Sequence, residues 1–133
     1  MDVTTIPGII TQSPPASPES IDRLRAELGL ELPDEYVALL AQADGVYADS
    51  FTLYPSEDVP ERNRTYEVAV YAPGFLAIGD DGGGQAIVLR AGRGPSPVFV
   101  VGHGVMTPDH MVTVAACLSD WVRLGCPLDS DPA

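Results

Sequence analysis

The sequence predicts an α+β domain in which two N-terminal helices and a C-terminal helix pack on an antiparallel β-sheet. Three observations carry this. Apolar residues recur at helical spacing through positions 21–43 and again through 114–121. Between them lie short runs that alternate with period two or are continuously apolar, separated by glycine-rich loops. The order helix, helix, strands, helix segregates the two kinds of element, and 133 residues suffice for one core.

Residues 1–16 include PGIITQSPPAS, rich in proline and small polar residues without a sustained period, and are expected to form an extended arm before the core begins. The folded domain is expected over 17–126 and a flexible tail over 127–133. Ser17 offers an N-cap oxygen, Pro18 suits the first helical position, and Glu19 and Asp22 suit the positive end of the helix dipole. Ile21, Leu24 and Leu28 follow at helical spacing, and Gly29 can take the left-handed conformation that closes a helix. A second helix starts at Pro33 with Asp34 and Glu35 in its first turn. Tyr36, Leu39, Leu40 and Ala43 form its stripe, and Asp44–Gly45 ends it.

After Gly45 the period falls to two. FTLY at 51–54 reads as a strand, as does TYEVAVY at 65–71, where Tyr66, Val68 and Val70 would share one face. PSEDVPERN between them is a helical turn or a loop. FLAIG, QAIVL and PVFVV, separated by DDGGG and AGRGPS, read as an antiparallel meander. Their unbroken apolar character predicts cover on one face and shielding on much of the other. Val114, Cys117, Leu118 and Trp121 make the stripe of a closing helix over 114–124, with Trp121 in the core, and Gly125 and Pro127 stop it.

Charge restricts function. Nineteen acidic residues against seven basic ones leave a formal net charge of −12, which repels nucleic acid and anionic membranes alike. Every basic residue is arginine, so a Schiff-base lysine, a phosphate-binding P-loop lysine and a serine–lysine dyad are all excluded. No long apolar run or charged-then-apolar leader is visible, and the expected compartment is the cytosol. Cys117 and Cys126 lack the spacing of a zinc or redox pair and are expected to be reduced. The carboxylates are unevenly placed: eight fall between Glu31 and Glu61, with no arginine among them.

No reactive set emerges. The loop after Gly79 has Asp80 and Asp81 at its mouth and a strand behind it, which suits neither a phosphate cradle nor the alternating ligands of a calcium loop. Its three glycines suit a tight hairpin turn with two exposed aspartates at the edge. His103 and His110 are separated by six intervening residues in a Gly- and Pro-containing loop that does not fix them on one face, so they read as solvent-contacting rather than as a metal pair. No serine has a nucleophile-elbow setting. Catalytic, cofactor and metal residues are therefore expected to be absent.

Four segments together resemble the SUKH superfamily, which includes fungal cell-wall-assembly regulators of the Smi/Knr type and bacterial toxin-immunity proteins. They are IDRLRAELGLELPDEYVALLAQADG, PGFLAIGDDGGGQAIVL, PVFVV and VAACLSDWV, and the likeness spans Pro18 to Leu124. The resemblance implies helices on an antiparallel sheet, no catalytic apparatus, and a role in binding a protein partner. For a bacterial relative that partner is commonly a toxin directed at nucleic acid; the fungal relatives imply instead a regulatory or scaffolding domain that binds a cellular protein. A nuclease cleft is basic, so acidic residues would complement it. Tyr47, Phe51, Tyr54 and Tyr71, interleaved with Asp49, Glu57, Asp58 and Glu61, could supply aromatic anchors within an acidic rim. The alternative places Phe51 and one or two tyrosines in the core. The expected partner-binding residues are Tyr47, Asp49, Tyr54, Glu57, Asp58 and Glu61, with Asp80 and Asp81 of the hairpin. The N-terminal arm lies outside the shared pattern and could be a separate recognition segment.

Overall fold

The computed structural model describes residues 1–129. Local signals set the first helix, α1 (Pro18–Leu28), as expected. The Ser17 hydroxyl accepts from the Ser20 N–H at 3.1 Å, and Gly29 closes the helix at φ +66°. α1 buries Ile21 and Leu24, and α2 (Asp34–Leu40) buries Tyr36, Leu39 and Leu40.

Seven antiparallel strands form one sheet whose order is the chain order: β1 (Ile9–Gln12), β2 (Val46–Ala48), β3 (Thr52–Leu53), β4 (Phe75–Asp80), β5 (Gln85–Arg90), β6 (Val98–Gly102) and β7 (Val112–Ala115). The strands expected at FLAIG, QAIVL and PVFVV are β4, β5 and β6. Val46, Leu53, Ile87 and Leu89 point to one face and join α1, α2 and the closing helix α5 (Leu118–Arg123) in the main core. Ala77, Ala86, Val88, Phe99 and Val101 point to the other, where Val68, Ala72 and Met106 cover them. Both faces of the central strands are thus shielded, and the α+β class is the one predicted.

Four segments depart from expectation. Residues 65–71 are not a strand. α3 (Val59–Thr65) ends there, Glu67 turns the chain at φ +53°, and α4 (Val68–Tyr71) is a single turn. Val68 is buried, while Val70 is 67% exposed and Tyr71 52%. The β4 edge that such a strand would need is already occupied. β3 pairs only with Gly79 and Asp80, and beyond it the Asn63 side chain takes over the pairing. Its Oδ1 accepts from the Ala77 N–H at 2.8 Å, and its Nδ2 donates to the Ala77 carbonyl at 2.9 Å and to that of Val59 at 2.8 Å.

The N-terminal arm is not loose. Val3–Thr5 forms a 3-10 turn capped by Asp2, Val3 and Ile6 enter the main core, and β1 pairs with β2. The closing helix is shorter than its stripe suggests, because the β-branched run Val112–Ala115 takes the free edge of β6 as β7. Cys117 lies at the N-cap of α5 with extended backbone rather than on a helical face. Glu35 of α2 supplies the cap that Cys117 cannot, accepting from the Ser119 N–H at 3.4 Å and from its hydroxyl. The expected tail begins packed: the Trp121 ring N–H donates to the Pro127 carbonyl at 2.8 Å, and Leu128 rests on the main core. Positions 130–133 of that tail lie outside the described residues.

Candidate protein-binding surface

The β4–β5 turn is built by its aspartates. Asp80 Oδ1 accepts from the Gly82 N–H at 2.9 Å, and Asp81 Oδ1 accepts from those of Gly83 at 2.8 Å and Gln85 at 3.0 Å. Gly82 and Gly84 take the positive φ values this reversal requires. Both carboxylates are half-buried rather than exposed as expected, since the turn they cap folds over them.

Asp80 Oδ2 accepts from the Tyr54 hydroxyl at 2.6 Å. Tyr54 is only 5% exposed, and burial, with the Asp80 carboxylate beside it, pushes its phenol above the ordinary tyrosine range. It therefore cannot serve as the surface anchor expected of it. Phe51 is a core residue too, its ring centroid 5.3 Å from that of Trp121.

Tyr47 does face solvent, at 54% exposure. The register Thr11↔Tyr47↔Thr52↔Asp80 puts it in a row with these three residues on one face of the sheet. Asp49 is exposed in the β2–β3 turn, where its backbone N–H donates to the Gly8 carbonyl at 2.9 Å. Glu57 and Asp58 are exposed on the connection into α3. Glu61, one turn further, is clamped by Arg62 at 2.8 and 2.7 Å and by the Thr65 hydroxyl; hydrogen bonds from these two hold its carboxyl at about 2.

Elsewhere the acidic run serves the fold. Asp34 pairs with Arg93 at 3.6 Å, Glu35 caps α5, and Asp44 accepts from the Ser56 N–H at 2.6 Å and its hydroxyl at 2.9 Å. The run is thus spread over several junctions between elements. Its members that stay exposed without an ion-pair partner among the described residues are Glu31, Asp49, Glu57 and Asp58.

Sequence reasoning missed a polar stack beside this surface. The Arg62 guanidinium lies 5.5 Å from the Tyr66 ring centroid, and Tyr66 stacks on His103 at 3.8 Å with planes 7° apart. Burial lowers the pKa of His103, and its Nε2 has no hydrogen-bond partner among the described residues. No short-range pattern signals this pairing of residues 37 apart in the chain (103 less 66). His110 is exposed, with Nδ1 at 2.7 Å from the Thr107 hydroxyl. Among the described residues, no group of three or more His, Cys, Asp or Glu side chains is arranged to hold a metal ion, and no helix is long and apolar enough to cross a membrane.

Helices α1, α2 and α5 on one face of a meander sheet and the short α4 on the other, with acidic and tyrosine side chains left on its rim, make a small α+β domain. The chain belongs to the SMI1 / KNR4 family (SUKH-1), whose sequence profile matches residues 15–124. No curated protein matches it. Membership is consistent with an immunity or regulatory binding domain, in a family that is generally non-catalytic.

Proposed function

We propose that this protein is a non-enzymatic, cytosolic immunity protein that binds and neutralises a cognate toxin with a basic, nucleic-acid-handling surface. The observation that carries the reading is the set of exposed carboxylates without ion-pair partners among the described residues: Asp49, two residues from the exposed Tyr47, and Glu57 and Asp58 on the connection from β3 into α3. A cleft built to hold phosphates attracts such a surface in place of its substrate, and a chain of net charge −12 adds long-range attraction that raises the association rate. Tight binding needs an interface of about 1,600 Å² with a few buried anchors, and Tyr47 has the amphipathic character of one. Both cysteines are unpaired, which suits a reducing compartment.

The test is copurification from the native host, followed by affinity measurements across a salt series. A basic toxin domain should be recovered, its affinity falling steeply as salt rises, and Glu57→Arg with Asp58→Arg should weaken it further. Binding unchanged by that reversal removes this surface. Recovery of a cellular protein that is no toxin supports the regulatory reading in its place.

A further inference from the structure

α1 and the chain from Ser56 to Phe75 leave a cleft between them that changes character along its length. At one end a hollow of ≈ 210 Å³ is lined by Ser20, Arg23 and Glu27 of α1 and by Asp44, Ser56 and Glu57 opposite. Glu27 also lines a second hollow of ≈ 310 Å³, so the two share a wall. There Leu28, Leu30, Pro60, Val70 and Phe75 present carbon, with Arg64 and Glu67 at the margin. Val70 is among the most exposed large apolar side chains of the described residues, and it owes that position to the left-handed turn at Glu67 that starts α4.

Charge selects the occupant. The two hollows carry four carboxylates (Glu27, Asp44, Glu57, Glu67) against two guanidinium groups (Arg23, Arg64). Glu27, Glu57 and Glu67 are exposed and have no ion-pair partner among the described residues. The Asp44 charge is held in place by the two hydrogen bonds from Ser56. An anionic headgroup would be repelled, and a second copy would bring its own −12 against this wall.

We propose that this cleft receives one segment of a basic protein partner. A large apolar side chain of that segment fills the hollow at Leu30, Val70 and Phe75, and a neighbouring arginine or lysine faces Glu27 and Glu57. This rests on the protein-binding reading above and gives it a specific seat, with Glu57 common to both surfaces. An apolar anchor ringed by charge is the usual composition of an energetic centre in an interface, and an exposed aliphatic patch with a charged rim marks such sites on monomers.

The probe is a displayed library of random linear peptides, selected on the full-length chain. Val70→Glu and the pair Glu27→Arg with Glu57→Arg serve as counter-targets, and Ile10→Glu, on the edge strand β1, as a control. Selected peptides should pair a large apolar residue with arginine or lysine. They should lose about tenfold or more in affinity on Val70→Glu, weaken on the charge reversal, and bind Ile10→Glu as they bind the parent. Val70 and Ile10 are both exposed, so neither change threatens folding. Peptides that bind Val70→Glu as well as the parent, acidic peptides, or no enrichment at all would overturn the cleft as a docking seat. Failure of the broader reading is seen separately: a toxin that copurifies and ignores Val70→Glu removes only the cleft, whereas the absence of any protein partner in the copurification removes both.

Discussion

Replacing Asn63 with alanine tests how the wall that carries Glu57 and Pro60 is held to the sheet. Asn63 is buried and makes three hydrogen bonds, two of them to the main chain of Ala77, which is itself fully buried. β3 ends before it could pair with Ala77, so truncation strands one N–H and one carbonyl together. Each such orphan costs about 1–3 kcal/mol. Two therefore cost about 2–6 kcal/mol, of which water entering the vacated space recovers part, and a loss of about 3 kcal/mol is expected. With a urea slope of about 1–3 kcal/mol per molar, the unfolding midpoint should fall by about 1–3 M. Trp121, the single tryptophan and fully buried, reports the transition by its fluorescence. Asn63→Asp keeps an acceptor for the Ala77 N–H but sets a carboxylate against two carbonyls. It should be comparably destabilising at neutral pH, with the deficit shrinking as acid restores a donor. Were Asn63→Ala to unfold within about 0.5 kcal/mol of the parent, the amide would not be the clamp and the reasoning would fail.

Two tyrosines should behave oppositely. The Tyr36 hydroxyl is buried without a partner among the described residues, so Tyr36→Phe should be neutral or stabilising by up to about 1 kcal/mol, whereas Tyr54→Phe loses the bond to Asp80 and about 1.5–3 kcal/mol. The reverse order in thermal melts would sink both assignments. A Cβ at Gly79 would overlap the Thr52 carbonyl oxygen, so Gly79→Ala should part β3 from β4 at a cost of about 3 kcal/mol, while Gly94→Ala, with open space around it, should stay within about 0.5 kcal/mol. Equal melting temperatures would contradict that geometry. His103 should titrate below the ordinary histidine value of 6.5 because burial disfavours its charge. Its folded pKa is depressed, so the stability it contributes is present above 6.5 and is lost as pH falls from there through the folded value. An NMR midpoint at or above 6.5 for its ring protons argues against the half-buried stack.

Legibility followed range. α1 could be read because Ser17, Pro18 and Gly29 all act within a single helix, and β4 to β6 because continuous apolar runs were bounded by glycine-rich loops. β1 and β2 could not, since Thr11 finds Tyr47 across two intervening helices and neither segment has a distinctive pattern of its own. Residues 65–71 misled because alternation over so few positions also fits one helical turn flanked by bends, and only Asn63 on the β4 edge decides between them. At the surface, charge counts were visible but pairing was not. Tyr54 is taken inward by Asp80, 26 residues away, and Glu35 is occupied by Ser119, 84 residues away. Glu57, Asp58 and Tyr47 remain exposed, and among the described residues no hydrogen bond or ion pair engages their side chains.

Sheet order matching chain order has a kinetic consequence. Neighbours from β4 to β7 are joined by short connections, so loop closure opposes their pairing only weakly and that half can zip up hairpin by hairpin. The amino-terminal half must instead close around whole helices, and its apolar stripes find Leu118 and Trp121 only after those residues are made. On a ribosome, α1 and α2 therefore emerge early and wait uncovered for partners translated later. Nascent chains arrested before Trp121 should accordingly be protease-sensitive across both helices, and resistance should arrive in one step once α5 is free of the exit tunnel.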